Sequence, residues 1–101
     1  MKESALCPRL SKAMELVGKR WTALIIYQLL EGPQRFNAIE SALPISGRLL
    51  SERLKELEKE GIVERKVFSE VPIRVEYNLT NKGQSLEQTV REIEKWAKIW
   101  L

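Results

Sequence analysis

The feature that most constrains this chain is a change of hydrophobic period at Gly61. Before it, Leu50, Leu54 and Leu57 recur at the spacing of one helix face. After it come two runs rich in β-branched and aromatic residues, 62–68 and 73–79. The second alternates cleanly, with Ile73, Val75, Tyr77 and Leu79 on one face. Ser69-Glu70-Val71-Pro72 separates the runs as a hairpin loop. A single switch of this kind leaves room for one hairpin in an otherwise helical chain.

Upstream, three further helices are expected. Leu10, Ala13, Met14 and Val17 recur at helical spacing, and Gly18 follows as a stop. Residues 21–31 are apolar on most of their surface and close at Gly32-Pro33, so this helix belongs at the centre. Phe36, Ile39 and Leu43 mark a short third helix that Pro44 ends. Ser46 is the N-cap of the fourth. Downstream, Thr80 caps a final helix expected to run to residue 101. The fold class is therefore mainly α with a small β-hairpin wing, a winged helix-turn-helix, read as one domain over 1–101. The helix-turn-helix occupies about 35–60, the wing 62–79 and the terminal helix 80–101.

Composition narrows the function. Hydrophobic residues at 44% and charged residues at 31% describe a soluble globular chain with one modest core. The longest apolar run, Ala23 to Tyr27, is too short to span a bilayer. Met1-Lys2-Glu3-Ser4 lacks the apolar stretch of a signal peptide, so a cytoplasmic location and no membrane partner are expected. The absence of histidine removes Ser-His-Asp and Cys-His catalysis and the common zinc patterns. One cysteine, Cys7, forbids an intramolecular disulfide. The five glycines are scattered singly, so there is no phosphate loop. No enzyme activity, metal or cofactor is expected. A net charge of +3 favours anionic partners only mildly. Residues 1–35 hold six basic and three acidic side chains, and residues 36–74 hold seven of each. Any DNA interface must be argued from which face carries the cations.

A short helix, a break around Pro44 to Ser46 and a longer helix form a helix-turn-helix pattern. With Leu50 at zero and about 100° per residue, Leu54 and Leu57 fall within roughly 40° of it. Arg48, Glu52, Lys55 and Lys59 fall opposite, with Ser51 beside them. Arg48 is suited to a guanine edge and Glu52 to a cytosine amine. Ser46 and Gly47 lie at the positive helix terminus, where a phosphate fits. Arg53 points nearer the core edge and is assigned a structural or ion-pair role. Taken alone, alternating charges opposite a leucine stripe describe any solvated helix. The hairpin that follows makes the pattern more specific. Its tip carries Arg74, with Lys66 close by, as candidates for the minor groove or phosphate; an ordinary exposed loop charge is the alternative for Arg74. Arg35, Lys19 and Arg20 at helix starts are further phosphate candidates or plain surface.

Leu86, Val90, Ile93, Ala97 and Trp100 form a stripe along the last helix, widened by Trp96. Exposed, such a stripe is an aggregation liability. A twofold dimer through the terminal helices would cover it and present two recognition helices to a palindromic site on double-stranded DNA. The alternative is a helix folded back on its own core. Cys7 precedes Pro8 beside Arg9 and Lys12. That setting favours a reactive thiolate, whereas a small buried hydrophobe is the competing reading.

The chain resembles the HxlR-type family of bacterial winged-helix transcriptional regulators, of MarR-like fold. The resemblance rests on Cys7-Pro8, Leu16-Val17-Gly18-Lys19-Arg20-Trp21, Gly32-Pro33-Gln34-Arg35-Phe36-Asn37 and Ile45-Ser46 with Leu50. It continues through Arg53-Leu54-Lys55-Glu56-Leu57-Glu58, Gly61-Ile62-Val63-Glu64-Arg65, and Val71-Pro72 with Val75-Glu76-Tyr77-Asn78-Leu79-Thr80. It implies a homodimer through terminal helices that binds operator DNA and usually represses nearby genes. It also implies sensing: some members carry a cysteine next to proline, in the place of Cys7, whose modification by quinones, aldehydes or oxidants releases DNA. Several such members have a second cysteine that pairs across the dimer, and this chain has none. An adduct on Cys7, a mixed disulfide or a Cys7-to-Cys7 link between subunits is what remains. A winged-helix module that binds protein rather than DNA is the competing function.

Overall fold

The computed structural model describes residues 7–101. Helices α1 (Pro8–Val17), α2 (Thr22–Leu29), α3 (Phe36–Ala42) and α4 (Gly47–Lys59) precede strands β1 (Val63–Phe68) and β2 (Arg74–Leu79). Two helices follow, α5 (Asn81–Gln84) and α6 (Glu87–Trp100). The arrangement is a mainly helical winged helix-turn-helix.

The core is built where the apolar periodicity places it. Ile25, Ile26 and Leu29 of α2, Ile39 of α3, and Leu50, Leu54 and Leu57 of α4 are buried, and Ile45, Ile62, Val63 and Leu79 close the cluster. Burying a leucine is worth about 1.5–3 kcal/mol, so the stripe on α4 fixes which of its faces looks outward. The chain leaves α4 through Gly61, whose φ of 74° is left-handed and strained for other residues. The hairpin is antiparallel, with Val63 opposite Leu79 and Phe68 opposite Arg74.

Two features depart from the sequence expectation. The final helix is not continuous. Thr80 is indeed a cap, accepting from the Gly83 amide at 3.1 Å, but α5 ends after one turn and α6 begins only at Glu87. Thr80 also donates to the Gly61 carbonyl at 2.5 Å, and Gly83 packs on the Ile62 carbonyl so closely that no Cβ fits. These contacts fix α5 against the start of the wing, and the break redirects α6 over α2. The second departure is at Trp21, expected as the first residue of α2. It stands outside the helix at φ 81°, a conformation costing a non-glycine residue about 1–3 kcal/mol.

The stripe on α6 divides. Leu86 and Val90 fold back onto the chain's own core, whereas Ile93, Trp96 and Trp100 are 59%, 56% and 70% exposed. The fold-back alternative therefore holds for the first turns of the segment, and Leu86 and Val90, expected at a dimer interface, belong to the chain's own core. Tyr27 of α2 donates to Glu94 of α6 at 2.5 Å and ties the exposed half to the body. Among the described residues, no helix is long and apolar enough to cross a membrane.

Candidate nucleic-acid interface

Helices α3 and α4 meet through a tight turn in which the Ile45 amide donates to the Leu43 carbonyl at 2.8 Å and the Ile45 side chain is buried. Ser46 caps α4, its hydroxyl accepting from the Leu49 amide at 3.1 Å. At Gly47 a Cβ would stand 2.7 Å from Glu40 Oε2, the movable end of that side chain, and 3.8 Å from Phe36. Ser46, offered from the sequence with Gly47 as a phosphate ligand, thus has a capping role within the chain, and the Glu40 carboxylate stands beside this helix terminus.

The outward face of α4 is as the rotation argument places it. Arg48, Glu52, Lys55 and Lys59 are exposed, and Ser51 is half-buried at the edge. Among the described residues, no ion pair engages Arg48, Glu52 or Lys55. Their polar ends are free for another molecule. Arg35, the residue that precedes α3, is also exposed.

The opposite edge of α4 is clamped. Arg53 Nε donates to the Arg20 carbonyl at 3.1 Å, and its guanidinium lies 3.5 Å from Glu56. Lys19 pairs with the same Glu56 at 3.1 Å. Arg20 lies over the Trp21 ring at 5.0 Å. Arg53 therefore has the structural role its helical position suggested. Of the two further candidates in this turn, Lys19 is engaged within the chain and Arg20 supplies the anchoring carbonyl. The clamp locks the strained turn at Trp21 to the helix that presents Arg48 and Lys55.

The wing differs from its sequence reading. Arg74, expected as a free basic tip, is only 24% exposed in its side chain. It pairs with Glu70 at 2.8 Å and with Glu76, and its guanidinium lies 3.8 Å over the Phe68 ring. Bonding to Arg74 holds the Glu70 carboxyl below its usual range, with a smaller contribution from Arg35. Bonds to Glu70 and then Glu76 raise the Arg74 guanidinium above its own. The carboxylates thus occupy the donors that a phosphate contact would need. Lys66 is more open but faces Glu64 at 3.5 Å. The wing is also held from its far side. Gln34 and Tyr77 exchange backbone bonds of 2.9 and 2.8 Å, adding the segment before α3 to the edge of β2. Gln34 Nε2 donates to the Gln28 carbonyl at 2.7 Å. Sequence reasoning missed this bridge. It also missed the Arg74 clasp, although strand alternation places Glu76 on Arg74's face and the hairpin register sets Phe68 opposite.

Cys7 is exposed and forms the N-cap of α1, its sulfur accepting from the Leu10 amide at 3.4 Å.

Comparison with known proteins agrees with this geometry. A family profile described as HxlR-like helix-turn-helix matches residues 16–101. The chain is 57% identical over 102 aligned positions to YvaP of Bacillus subtilis strain 168, an uncharacterized HTH-type transcriptional regulator, covering 100% of this chain and 94% of the relative. The reduced form of the transcriptional regulator YodB from B. subtilis superposes with a TM-score of 0.84 at 47% identity, covering 94% of each chain. The quinone-bound form of YodB gives a TM-score of 0.81 at 45% identity, covering 94% of this chain and 100% of that one.

Proposed function

Because the chain belongs to the HxlR-like helix-turn-helix family of transcriptional regulators, we propose that it is a cytoplasmic repressor that binds a palindromic operator as a homodimer. The observation that carries this reading is the outward face of α4. Arg48, Glu52 and Lys55 project opposite three fully buried leucines, unpaired among the described residues, from a helix that the core and the Arg53 clamp hold rigidly. Arg48 is assigned to base edges, Lys55 and Arg35 to phosphates.

The dimer is supported by the apolar surface left at the end of α6. Ile93, Trp96 and Trp100 are open, and between α2 and α6 runs a groove lined by Ala23, Leu24, Tyr27, Val90, Ile93 and Ala97. A second copy would bury this surface. Two α4 helices about one turn of DNA apart would then read the two halves of the site.

Cys7 is proposed as the point of control. It is exposed at the start of α1, and a neighbour of 45% identity is described in a quinone-bound form. The sulfur would add to an electron-poor ring carbon of the quinone, and the thiol proton would end on the resulting hydroquinone. With one cysteine in the chain, no internal disulfide can substitute for that adduct.

The test is a salt titration of duplex binding. Wild type should lose affinity steeply as salt rises, and Lys55→Ala, which removes one phosphate contact from each subunit, should reduce the logarithmic salt slope by about 2. No binding at low salt would instead favour a protein-interaction module. Release by a quinone should be lost in Cys7→Ser; equal release from both proteins would remove Cys7 from the mechanism.

A further inference from the structure

The wing has an unusual division of labour among its side chains. Between residues 62 and 79 it carries three basic and three acidic groups, so it has no net charge. Its most engaged cation, Arg74, is held by Glu70 and Glu76 and stacked on Phe68. Beside exposed Arg65 and Lys66 on β1, it leaves aliphatic side chains open to water: Val71 is 103% exposed and Ile73 68%, with Val67 at 54% on the adjoining strand. Water-exposed aliphatic groups at a hairpin tip contribute nothing to the chain's own core.

We infer that Arg74 is a positioning residue that shapes the wing, and that Val71 and Ile73 make the wing's contact with DNA, against the apolar walls of the minor groove. This deepens the DNA-binding reading above and rests on it. Minor-groove proteins use aliphatic side chains in this way, as wedges between sugars and base steps. Charge argues for the same occupant surface. Glu70 sits at the tip beside Val71, so a tip that approached phosphates would meet repulsion. The C–H faces of the sugars that wall the minor groove present apolar surface instead, whereas its floor carries the base acceptors. The planar guanidinium of Arg74 reaches two carboxylates and a ring at once, bracing the two ends of the loop. The Gln34–Tyr77 bridge holds β2 to the segment before α3, so the wing's base is fixed to the helix-turn-helix.

The experiment compares duplex affinity and its salt slope for wild type and four variants on one operator-containing duplex. Folding is checked by circular dichroism. Val71→Ser with Ile73→Ser should weaken binding about tenfold with the salt slope unchanged, because apolar burial releases no counterions. Arg74→Lys keeps the charge but loses the fork and the stacking, and should also weaken binding. Arg74→Gln should lower affinity and leave the slope unaltered. Glu76→Gln should weaken binding or leave it as it is. A phosphate-contact role predicts the opposite pattern. Glu76→Gln would then bind more tightly, Arg74→Lys would match wild type, and Arg74→Gln, lost from both wings of the dimer, would lower the slope by about 2. That pattern, or a serine pair that binds like wild type, overturns the inference while leaving the DNA-binding reading intact. If wild type itself binds no duplex, both fall.

Discussion

Replacing Gly83 with alanine sets helix propensity directly against packing. Gly83 lies inside α5, and alanine is favoured over glycine in a helix interior by about 1 kcal/mol. Propensity alone predicts a more stable protein. The structure predicts the reverse. An added Cβ would stand 2.2 Å from the Ile62 carbonyl oxygen and 3.0 Å from Leu79 Cδ2. That carbonyl cannot swing aside, because it accepts from the Thr80 amide at 3.0 Å and the Thr80 hydroxyl at 3.2 Å. Overpacking of this kind costs about 1–3 kcal/mol, and stretching the Thr80 bonds adds about 1 kcal/mol. After the propensity gain, the net loss is about 1–3 kcal/mol. For a chain of this size that lowers Tm by about 5–20 °C. The assay is thermal unfolding at fixed protomer concentration, since an oligomer's Tm depends on it. Because α5 sets the direction of α6, subunit association should weaken with it. An unchanged or raised Tm would refute the packing argument and the account of why the last helix breaks.

Other perturbations separate the parts of the interface. Arg53→Ala removes the bond to the Arg20 carbonyl and should cost about 1–2 kcal/mol in thermal unfolding, lowering DNA affinity without altering the salt slope. Leu54→Ala, at a side chain 1% exposed, should cost about 2–5 kcal/mol, measured by denaturant titration. The Tyr27–Glu94 bond should appear in the pH dependence of stability. Bonding to Tyr27 lowers the Glu94 carboxyl, so its contribution is present above the ordinary carboxylate range and disappears as pH falls through the depressed value. The same bond raises the Tyr27 phenol, so that contribution is present below the ordinary phenol range and is lost as pH rises through the raised value. Tyr27→Phe should flatten both limbs of the stability–pH curve; a curve of unchanged shape would show that the bond does not form in solution.

Local rules made most of the scaffold readable. Leu50, Leu54 and Leu57 occupy the buried side of α4 because period and burial have one solution on a helix. Ser46, Gly61 and Thr80 act at the junctions where their chemistry predicts. What escaped depends on groups that meet only after folding. Gln34 reads as loop until Tyr77 reaches it. The final stripe reads as one helix because propensity carries no sign of Gly83 pressed on the Ile62 carbonyl. Arg74 reads as a free cation because composition counts charges without their partners. Of the candidate interface, the α4 face was legible and the wing was not, since a hairpin's outward side chains depend on cross-strand register as well as order.

The outward face of α4 is proposed to read sequence. Its most direct test is selection of bound duplexes from a random pool by wild type and Arg48→Ala, followed by sequencing. Wild type should enrich a palindrome with half-sites about 10 base pairs apart, centre to centre. Arg48→Ala should relax preference at one symmetric pair of positions, by about 1–3 kcal/mol of discrimination. An identical motif from both proteins, or no enriched motif from wild type, would contradict the assignment.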